Sequence, residues 1–530
     1  MSNNKREFDS ESSLRAKIMR GADVLADNVA STLGPRGRNV LLQEKGKTPF
    51  TTKDGVTCAQ FVALDDPFEN AAAQIIKQAA IQTNSDAGDG TTTSTVLARA
   101  ILRESQKFIS SGVSPVEIQR GINSAVEDVV STLRAMARPV KSIADIEHIA
   151  TISANNDGAI GKLISLAIDR VGQDGSITIE EARSMDTSVD ITEGFRLDAG
   201  FSSSQFITDQ RRFMMSHEEP YILVTDHKID AVEPILPLLE KVAREGKPLI
   251  IVAEEIEGQA LAALIMNALR GSLKVAAIKA PRYGEERRNI LSDLAVSTGA
   301  SFITRESSKK LQDVELADFG CAKYIESTKT GTVIVGGHAD HEEVETRIES
   351  LKSEITATEN LNECARIQER IVRLASGVAV IRVGGATEVE VTEKKHRIED
   401  ALEAVRSAQE EGIVSGGGVA LLRASHTICA TVDNSEQAYG INVVKSACEE
   451  PIRQMAMNAA ISPDIIIEKI LSESNDAMGW DFRESEMIDL MKQGVVDPVK
   501  VTRSALKNAA SCAGTLITTN FGIIQTGDIE

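Results

Sequence analysis

The stretch from Asp86 to Leu97 combines the residue types of a nucleotide-phosphate site. Gly88 and Gly90 allow the backbone to come close to a ligand. Three hydroxyl residues follow at the start of a predicted helix, where backbone N–H groups lack intrahelical partners: Thr91, Thr92 and Thr93. Asp89 lies among them, and a carboxylate suits a bound polyphosphate when a hard cation such as Mg²⁺ lies between the two. The stretch therefore indicates a metal-polyphosphate site, although an ordinary helix N-cap uses the same residue types.

The overall composition restricts the class of protein. A chain of 530 residues exceeds what one hydrophobic core usually supports, so we expect two or three domains. No apolar run approaches the roughly 18 residues that a membrane helix needs. A formal net charge of −20 opposes general nucleic-acid binding, because phosphate contacts need a clustered basic surface. We therefore expect no membrane or nucleic-acid partner, and the polar N-terminal segment predicts a cytoplasmic protein.

The cysteines predict neither a disulfide framework nor a metal site. They occur without Cys-x-x-Cys spacing, at positions 58, 321, 364, 429, 448 and 512. We expect them to be buried apolar residues in a reducing compartment.

The first block of the chain is predicted to be helical with one hairpin. A helix with apolar residues from Leu14 to Val29 should stop at Gly34-Pro35. A strand from Val40 to Gln43 and a second one ending near Thr52 predict a hairpin, with Asp54 in its closing turn. Further helices are predicted over residues 68–83, 91–105 and 115–136.

The middle of the chain changes to short apolar strands that alternate with amphipathic helices from residue 221 onward. This spacing predicts βαβ units and a mainly parallel sheet. Before this region, a strand pair is predicted around Ile177 and Val189, with Gly194 as a hinge. Within the region, a strand over residues 301–304 continues the alternation of strands and helices. After it, residues 344–374 predict two antiparallel helices that break near Glu359-Asn360.

Two helices of this α/β region are apolar over a wider arc than one sheet contact requires. Their apolar residues are Val232, Ile235, Leu236, Leu238, Leu239 and Val242 in one helix and Leu261, Leu264, Ile265, Met266 and Leu269 in the other. Either part of this surface is exposed for binding, or a neighbouring element covers it, which is the commoner case.

A later helix over residues 394–410 places Asp400 on the face opposite its apolar residues, where an isolated carboxylate is usually solvated. The last block, from about residue 411, is helical like the first. The order helical, mixed, α/β, mixed, helical predicts a nested layout, in which an inserted domain separates two halves of a base domain.

Eight motifs occur in one order along the whole chain: Thr32-Leu-Gly-Pro-Arg-Gly-Arg-Asn, Thr52-Lys-Asp-Gly, Ala87-Gly-Asp-Gly-Thr-Thr-Thr, Thr151-Ile-Ser-Ala-Asn, Ala386-Thr-Glu-Val-Glu, Arg397-Ile-Glu-Asp-Ala, Gly416-Gly-Gly-Val-Ala-Leu and Asp497-Pro-Val-Lys-Val-Thr-Arg-Ser-Ala. Together they resemble the motifs of group I chaperonins of the GroEL type.

The resemblance implies a multi-domain fold of α/β and α parts in a GroEL-like nested layout. A mainly helical equatorial ATPase domain would span residues 1–135 and 411–530. A small α+β intermediate hinge domain would span residues 136–192 and 379–410, and an α/β apical polypeptide-binding domain residues 193–378. The subunits would form a homo-oligomeric ring of seven, single or double, with a co-chaperonin lid as a further partner.

The resemblance also implies the residues of the ATP site. The nucleotide would lie against Thr32, Leu33, Gly34, Pro35, Lys53, Asp89, Gly90, Thr91, Thr92, Thr93, Ile152, Gly417 and Asp497. Asp89 would bind Mg²⁺, and K⁺ is left open as a second ion. Asp400 would reach the γ-phosphate when the intermediate domain closes and would activate the attacking water, with Asp54 assisting.

In the apical domain, the resemblance implies that non-native polypeptides bind to apolar side chains: Phe201, Phe206, Leu236, Leu239, Leu261, Ile265 and Met266. This favours exposure of the two wide apolar helices. The chain departs from the family at Ala199, Ser202, Gln205, Ser376 and Asp481-Phe482, and it has no Gly-Gly-Met tail.

Two other functions remain open. A ring that holds unfolded chains with little hydrolysis has the same motifs. A small-molecule kinase or other metabolic ATPase is disfavoured, because its Gly-rich phosphate loop is expected after the first strand of the α/β domain. That position reads Thr225-Asp-His-Lys-Ile.

Overall fold

The structure is a computed structural model that describes residues 5–44, 46, 49–171, 176–182, 184–307, 309–337, 341–357, 361–375, 377–429 and 432–526. The chain divides into two compact units, one formed by Met1–Leu166 and Gly384–Glu530 and the other by Ala167–Val383. The first unit is thus interrupted in sequence by the second, as a nested layout requires. The finer division into three domains stays a prediction. The expected helix break near Glu359-Asn360, Ser376 and the chain end lie outside the described residues.

The chain up to Val171 forms one terminal strand, one hairpin and a series of helices: β1 (Lys5–Ser10), α1 (Glu11–Ala30), β2 (Val40–Leu42), β3 (Phe50–Thr52), α2 (Gly55–Phe61), α3 (Pro67–Ala87), α4 (Thr91–Ser110), α5 (Pro115–Met136), α6 (Ile143–Ser153) and α7 (Gly158–Val171). The predicted hairpin is confirmed, with Val40 opposite Thr52 in an antiparallel pair. The prediction that Asp54 lies in its closing turn is wrong. Asp54 follows β3 and caps α2, because its carboxylate accepts the otherwise unpaired N–H groups of Val56 and Thr57.

The second unit contains most of the strands: β4 (Ser176–Glu181), β5 (Ser188–Leu197), β6 (Met215–Glu218), β7 (Tyr221–Val224), β8 (Lys228–Ile229), α8 (Leu236–Glu245), β9 (Leu249–Ala253), β10 (Glu255–Ile256), α9 (Gly258–Leu269), β11 (Val275–Lys279), α10 (Gly284–Thr298), β12 (Gly320–Ser327), β13 (Thr332–Gly337), α11 (His341–Ala357), α12 (Leu361–Ala375) and β14 (Gly377–Val383). The main sheet has the strand order β11-β9-β7-β12-β13-β5-β14-β4, and β6 also pairs with β12.

The sheet of the second unit is mixed, so the prediction of a mainly parallel sheet is wrong. The βαβ prediction holds for β7, β9 and β11, which are parallel to one another and are connected through α8 and α9. From β12 to β5 the neighbours are antiparallel, because β12 turns back directly into β13 without a crossover helix. The two strands predicted around Ile177 and Val189 are confirmed as β4 and β5, but their direct pairing is wrong, because β14 lies between them.

Two local predictions in this unit need correction. Residues 301–304 do not form a strand, and Ile303 makes a single bridge to Thr225. Gly194, the proposed hinge, lies inside β5, where an added Cβ would meet the Val378 side chain and come within 2.6 Å of the Ile334 carbonyl oxygen. Close packing therefore gives this glycine a structural role.

The chain returns to the first unit and forms α13 (Glu388–Glu411), β15 (Ile413–Ser415), α14 (Val419–His426), α15 (Gln437–Asn458), α16 (Pro463–Ser472), β16 (Met478–Asp481), β17 (Glu486–Asp489), β18 (Val496–Pro498), α17 (Val499–Ile517) and β19 (Phe521–Thr526). Its core brings helices from both ends of the sequence together, through fully buried residues such as Leu25, Ile76, Leu97, Val443 and Leu506. β1 pairs with β19, and β15 pairs with β18. Among the described helices, none combines the length and apolarity needed to cross a membrane.

Candidate functional site

A cavity of about 530 Å³ in the first unit collects residues from both halves of that unit. Every residue expected at the nucleotide site lines it, from Thr32 after α1 to Asp497 in β18, together with Asp54 and Asp400. The structure thus brings together segments that are up to 465 positions apart in sequence. Their roles in nucleotide binding stay predictions.

The turn between α3 and α4 exposes a helix N-terminus to this cavity. Gly88 and Gly90 have φ values of 72° and 87°, a left-handed conformation that favours glycine. Gly90 is the N-cap of α4, and no side chain caps this helix. Thr91, Thr92 and Thr93 line the cavity at that end. An uncapped helix start with hydroxyls beside it is suited to bind phosphate oxygens.

The turn after α1 lies against the same helix start. The Thr32 and Thr92 hydroxyl oxygens are 3.4 Å apart. The Asn458 side-chain amide donates hydrogen bonds to the Ala30 and Leu33 carbonyl oxygens, at 3.0 Å and 2.9 Å. Gly34 has a φ of 80° and packs against Met455. These contacts from α15 hold the Thr32–Pro35 segment beside the predicted phosphate position.

Three carboxylates at the cavity interact: the charge of Asp54 raises the pKa of Asp89, and the charge of Asp89 raises the pKa of Asp497. Burial raises the pKa of Asp89, and the negative charge of Asp54 raises it further. The Gly90 N–H and the Ser153 hydroxyl, 2.9 Å away, donate to Asp89 and favour its charged form. Burial and then the charge of Asp89 raise the pKa of Asp497 to about 7, against the opposing N–H groups of Gly417 and Gly418.

This donor set fits a magnesium ion that binds together with phosphates. Recessed carboxylates that repel one another are stabilised by a cation, and Mg²⁺ prefers oxygen ligands. Within the described residues, no group of three or more His, Cys, Asp or Glu side chains is arranged to hold a metal ion by itself. Asp89 with substrate phosphates and water molecules would complete the usual coordination of Mg²⁺.

Two cationic side chains contribute to the electrostatics of the cavity. Burial lowers the pKa of Lys53, and the positive charge of Arg397 lowers it further. Arg397 donates hydrogen bonds to Asp157 at 3.1 Å and to Glu393 at 2.6 Å. Burial therefore makes the charged form of Lys53 unfavourable, and a bound anion would stabilise that charged form.

The helix pattern alone suggested that Asp400 lies on a solvated surface, but the structure places it elsewhere. It lies on α13, is half-buried, and lines the same cavity as Asp89 and Asp54. The opposite side of α13 carries buried apolar residues, including Ile398, Leu402 and Val405, so the helix presents its polar face to the cavity. The tertiary structure therefore gives this carboxylate access to a ligand.

Several cavity residues were not predicted from the sequence: His148, Ser153, Glu393, His396 and Arg397. Ser153 follows Ile152 directly within a motif that was recognised, so its position was a usable signal. His396 and Arg397 precede Asp400 by four and three residues, the spacing that places helix side chains on one face.

The expected polypeptide-binding residues lie in the second unit and differ in exposure. Leu236 on α8 and Met266 on α9 are exposed, at 47% and 46%. Phe201, Leu261 and Ile265 are half-buried. Phe206 and Leu239 are buried in the apolar core of this unit, at 3% and 7% exposure. Of the expected residues, Phe201, Leu236, Leu261, Ile265 and Met266 are therefore at least partly accessible in this conformation. Leu269 on α9, which is 59% exposed, adds to this surface.

The structure thus combines a helical unit, whose cavity lies beside an uncapped helix start, with an inserted α/β unit that carries exposed apolar side chains on two helices. The chain belongs to the TCP-1/cpn60 chaperonin family, whose model matches residues 25–526. The class recognised from the eight motifs is thereby confirmed.

Solved structures with the same fold include the chaperonin gp146 from bacteriophage EL 2 (Pseudomonas aeruginosa), in two crystal forms obtained in the presence of ATP-BeFx. The TM-scores are 0.64 for crystal form II and 0.62 for crystal form I. In both, 22% of the aligned residues are identical, and the match covers 98% of this chain and 99% of the phage protein. At this level of identity the likeness demonstrates the shared fold.

Proposed function

We propose that this protein is an ATP-dependent ring chaperonin that captures non-native polypeptides on apolar apical helices and promotes their folding through cycles of Mg-ATP binding and hydrolysis. The observation that carries the proposal is the meeting of Asp54, Asp89 and Asp400, from three distant segments, at one cavity beside an uncapped helix start. The presence of ATP-BeFx with the structurally similar phage chaperonin gp146 supports a nucleotide as the ligand.

Each part of the cavity has a separate task in this proposal. The first turn of α4 and the Thr32–Pro35 turn bind phosphate oxygens through backbone N–H groups and hydroxyls. Asp89 would hold a Mg²⁺ ion, which would supply positive charge to neutralise the charge that develops on the phosphates. Asp400 orients the attacking water and accepts its proton. Gly417 has a φ of 63° and open space where a side chain would point, so the nucleoside can approach its backbone.

The apical unit provides the binding surface for clients. Exposed Leu236, Met266 and Leu269, with the half-buried residues beside them, present flexible apolar side chains without a fixed geometry. Such a surface suits polypeptides of unrelated sequence. We place the protein in the cytoplasm as a seven-subunit ring, single or double, with a co-chaperonin lid as a further partner. K⁺ remains a second ion to test.

The decisive experiment compares Asp89→Ala and Asp400→Ala with Asp86→Ala. Asp86 lies on the exposed surface at the end of α3 and is the matched control. We expect Asp89→Ala to abolish Mg-ATP hydrolysis, because Asp89 holds the cation. Asp400→Ala should retain nucleotide binding and hydrolyse ATP about 10² times more slowly, as expected for the loss of a positioned base. Wild-type turnover in Asp89→Ala would contradict the site assignment.

The same measurements distinguish the second candidate function, a ring that holds unfolded chains with little hydrolysis. A working chaperonin should release phosphate from Mg-ATP and increase the yield of a refolding test protein. A holding ring should suppress aggregation of that protein equally well with and without ATP, and should release no phosphate.

A further inference from the structure

The polar face of α13 presents four side chains to the cavity: Glu393, His396, Arg397 and Asp400. Two of them are engaged with each other, because Arg397 donates to Glu393 at 2.6 Å and to Asp157 at 3.1 Å. His396 precedes Asp400 by one helical turn. Residues four apart on a helix have Cβ atoms about 5–6 Å apart, so their side chains lie next to each other.

We propose that His396 is the positioning residue for Asp400: its imidazole donates a hydrogen bond to the Asp400 carboxylate and sets the pH range in which Asp400 acts as the base. This inference rests on the proposed function and assigns a role to a residue that the sequence motifs did not include. His396 is half-buried and directed to the cavity, although its neighbours on the opposite face of α13 are buried apolar residues.

The chemical step defines what His396 must do. The water oxygen forms a bond to the γ-phosphorus, the bond from this phosphorus to the bridging oxygen of ADP breaks, and ADP leaves with the bonding electrons. The proton of the water passes to Asp400. A neutral imidazole that donates one N–H keeps the carboxylate oriented and ionised. A protonated imidazole would bind the carboxylate as a cation and make Asp400 a weaker base.

Other charged groups near the cavity act on the same pair. They are His148 on α6, Asp497 on β18, Lys53 and Asp54 after β3, Asp89 before α4, Glu393 and Arg397 on α13 itself, and Asp481, Arg483, Glu484 and Glu486 in the β16–β17 hairpin. Among the described residues of α3 and α17, which also pack against α13, no titratable side chain lines the cavity. His148 and Asp497 are therefore the residues that must be distinguished from His396, because His148 lines the same cavity and the pKa of Asp497 is raised to about 7 by burial and by the charge of Asp89.

The test measures steady-state Mg-ATP hydrolysis of the full-length protein between about pH 5.5 and 8.5. This range is chosen because it spans the ordinary histidine pKa of about 6.5. In the wild type, kcat should fall about tenfold per pH unit on the acid side. His396→Gln keeps an N–H donor that does not titrate, so its kcat should lose this acid limb and stay near the wild-type value at pH 8. His396→Ala should lower kcat about tenfold at pH 8 with unchanged KM, as expected for the loss of an orienting partner.

Two further variants control the assignment. His426→Gln changes an exposed histidine of α14 outside the cavity, and its pH profile should equal that of the wild type. His148→Gln and Asp497→Asn should both keep the acid limb, the latter because it removes the cavity carboxylate whose pKa is raised to about 7. An acid limb that persists in His396→Gln, or that disappears in His148→Gln or Asp497→Asn, would overturn the inference.

Failure of this inference is distinguishable from failure of the proposed function. If Asp400→Ala is slow and both His396 variants, folded and able to bind ATP, behave like the wild type, then only the role of His396 is wrong. If the wild-type protein hydrolyses no ATP at any pH, both proposals are wrong. Thermal melting and nucleotide binding of each variant show whether a change in kcat has a structural origin.

Discussion

At the scale of single residues, the cavity brings several carboxylates close together, and their repulsion is unfavourable unless a cation or ligand binds there. Asp54 raises the pKa of Asp89, and Asp89 raises the pKa of Asp497. Each of these interactions lowers the stability of the charged forms in the absence of a cation. Residues that repel one another at a recessed site are typical of functional sites, where a ligand compensates the cost.

Asp497 provides a pH-dependent test of this view. Its pKa is raised from 3.8 to about 7 in the folded protein. Between pH 4 and pH 7, roughly, the Asp497 carboxyl keeps its proton in the folded state but loses it in the unfolded state. The contribution of Asp497 to the free energy of unfolding is therefore lost as pH rises from about 4 to about 7. Asp497→Asn removes this loss. One pKa unit corresponds to about 1.4 kcal/mol, so the shift from 3.8 to about 7 sets an upper limit of about 4 kcal/mol on the gain of the variant relative to the wild type over this range.

The measurement is denaturant unfolding of both proteins without nucleotide or Mg²⁺ at a series of pH values. Asp169→Asn is the control, because Asp169 is exposed on α7 and lies outside the cavity. Its difference from the wild type should stay constant with pH. Parallel curves for Asp497→Asn and the wild type would show that Asp497 is not perturbed.

At the scale of elements, the start of α4 depends on its contact with the start of α2. An added Cβ at Gly55 would meet the Thr92 hydroxyl and lie 2.7 Å from the Thr91 hydroxyl. Both threonines line the cavity. The glycine of the Thr52-Lys-Asp-Gly motif thus allows α2 to pack against the predicted phosphate site.

Gly55→Ala should therefore weaken Mg-ATP binding, because the methyl group displaces the two hydroxyls. We expect about a tenfold increase in Kd, equal to about 1.4 kcal/mol. Isothermal titration calorimetry measures this. Gly158→Ala is the matched control, since an added Cβ at this helix start meets nothing within 4 Å. Unchanged affinity in Gly55→Ala would mean that these hydroxyls do not contact the nucleotide.

The helix α8 allows capture to be separated from stability within one element. Leu236 is 47% exposed, whereas Leu238, two positions later, is 1% exposed. Leu236→Ser should reduce suppression of aggregation of a denatured test protein without lowering the melting temperature. Leu238→Ser should lower the melting temperature, because a buried leucine loses about 2 kcal/mol or more of transfer free energy and a hydroxyl is left unpaired.

Both variants are compared at equal protein concentration without nucleotide. If Leu236→Ser melts earlier and still captures the test protein, then α8 contributes to the apical core and not to client binding. The half-buried Ile265 on α9 gives a second test of the same surface through Ile265→Ser.

At the scale of the whole molecule, the ring remains the largest untested prediction. We expect sedimentation equilibrium to give a mass that is a multiple of seven times the 57.0 kDa subunit. Negative-stain electron microscopy with and without Mg-ATP should show sevenfold end views and distinguish a single from a double ring. A monodisperse 57.0 kDa species under both conditions would contradict the assembly.

Much of this protein was determined by its sequence alone. The long helices were predictable because their apolar residues recur with helical spacing, and the bounds of α5 were predicted as the structure has them. The turn at Gly88–Gly90 was predictable because glycine tolerates left-handed backbone there. The family followed from eight motifs in order, each of which would be weak by itself.

The tertiary structure decided which distant residues meet and how exposed they are. Local patterns do not encode sheet order, so the antiparallel strands beside β12 and the position of β14 between β4 and β5 were missed. Burial also depends on contacts from other segments: Leu239 and Phe206 are in the core, although the family resemblance implied that they bind polypeptides. For the same reason, the proximity of Ser153 to Asp89 and of His396 to the cavity appeared only when helices α6 and α13 were in place.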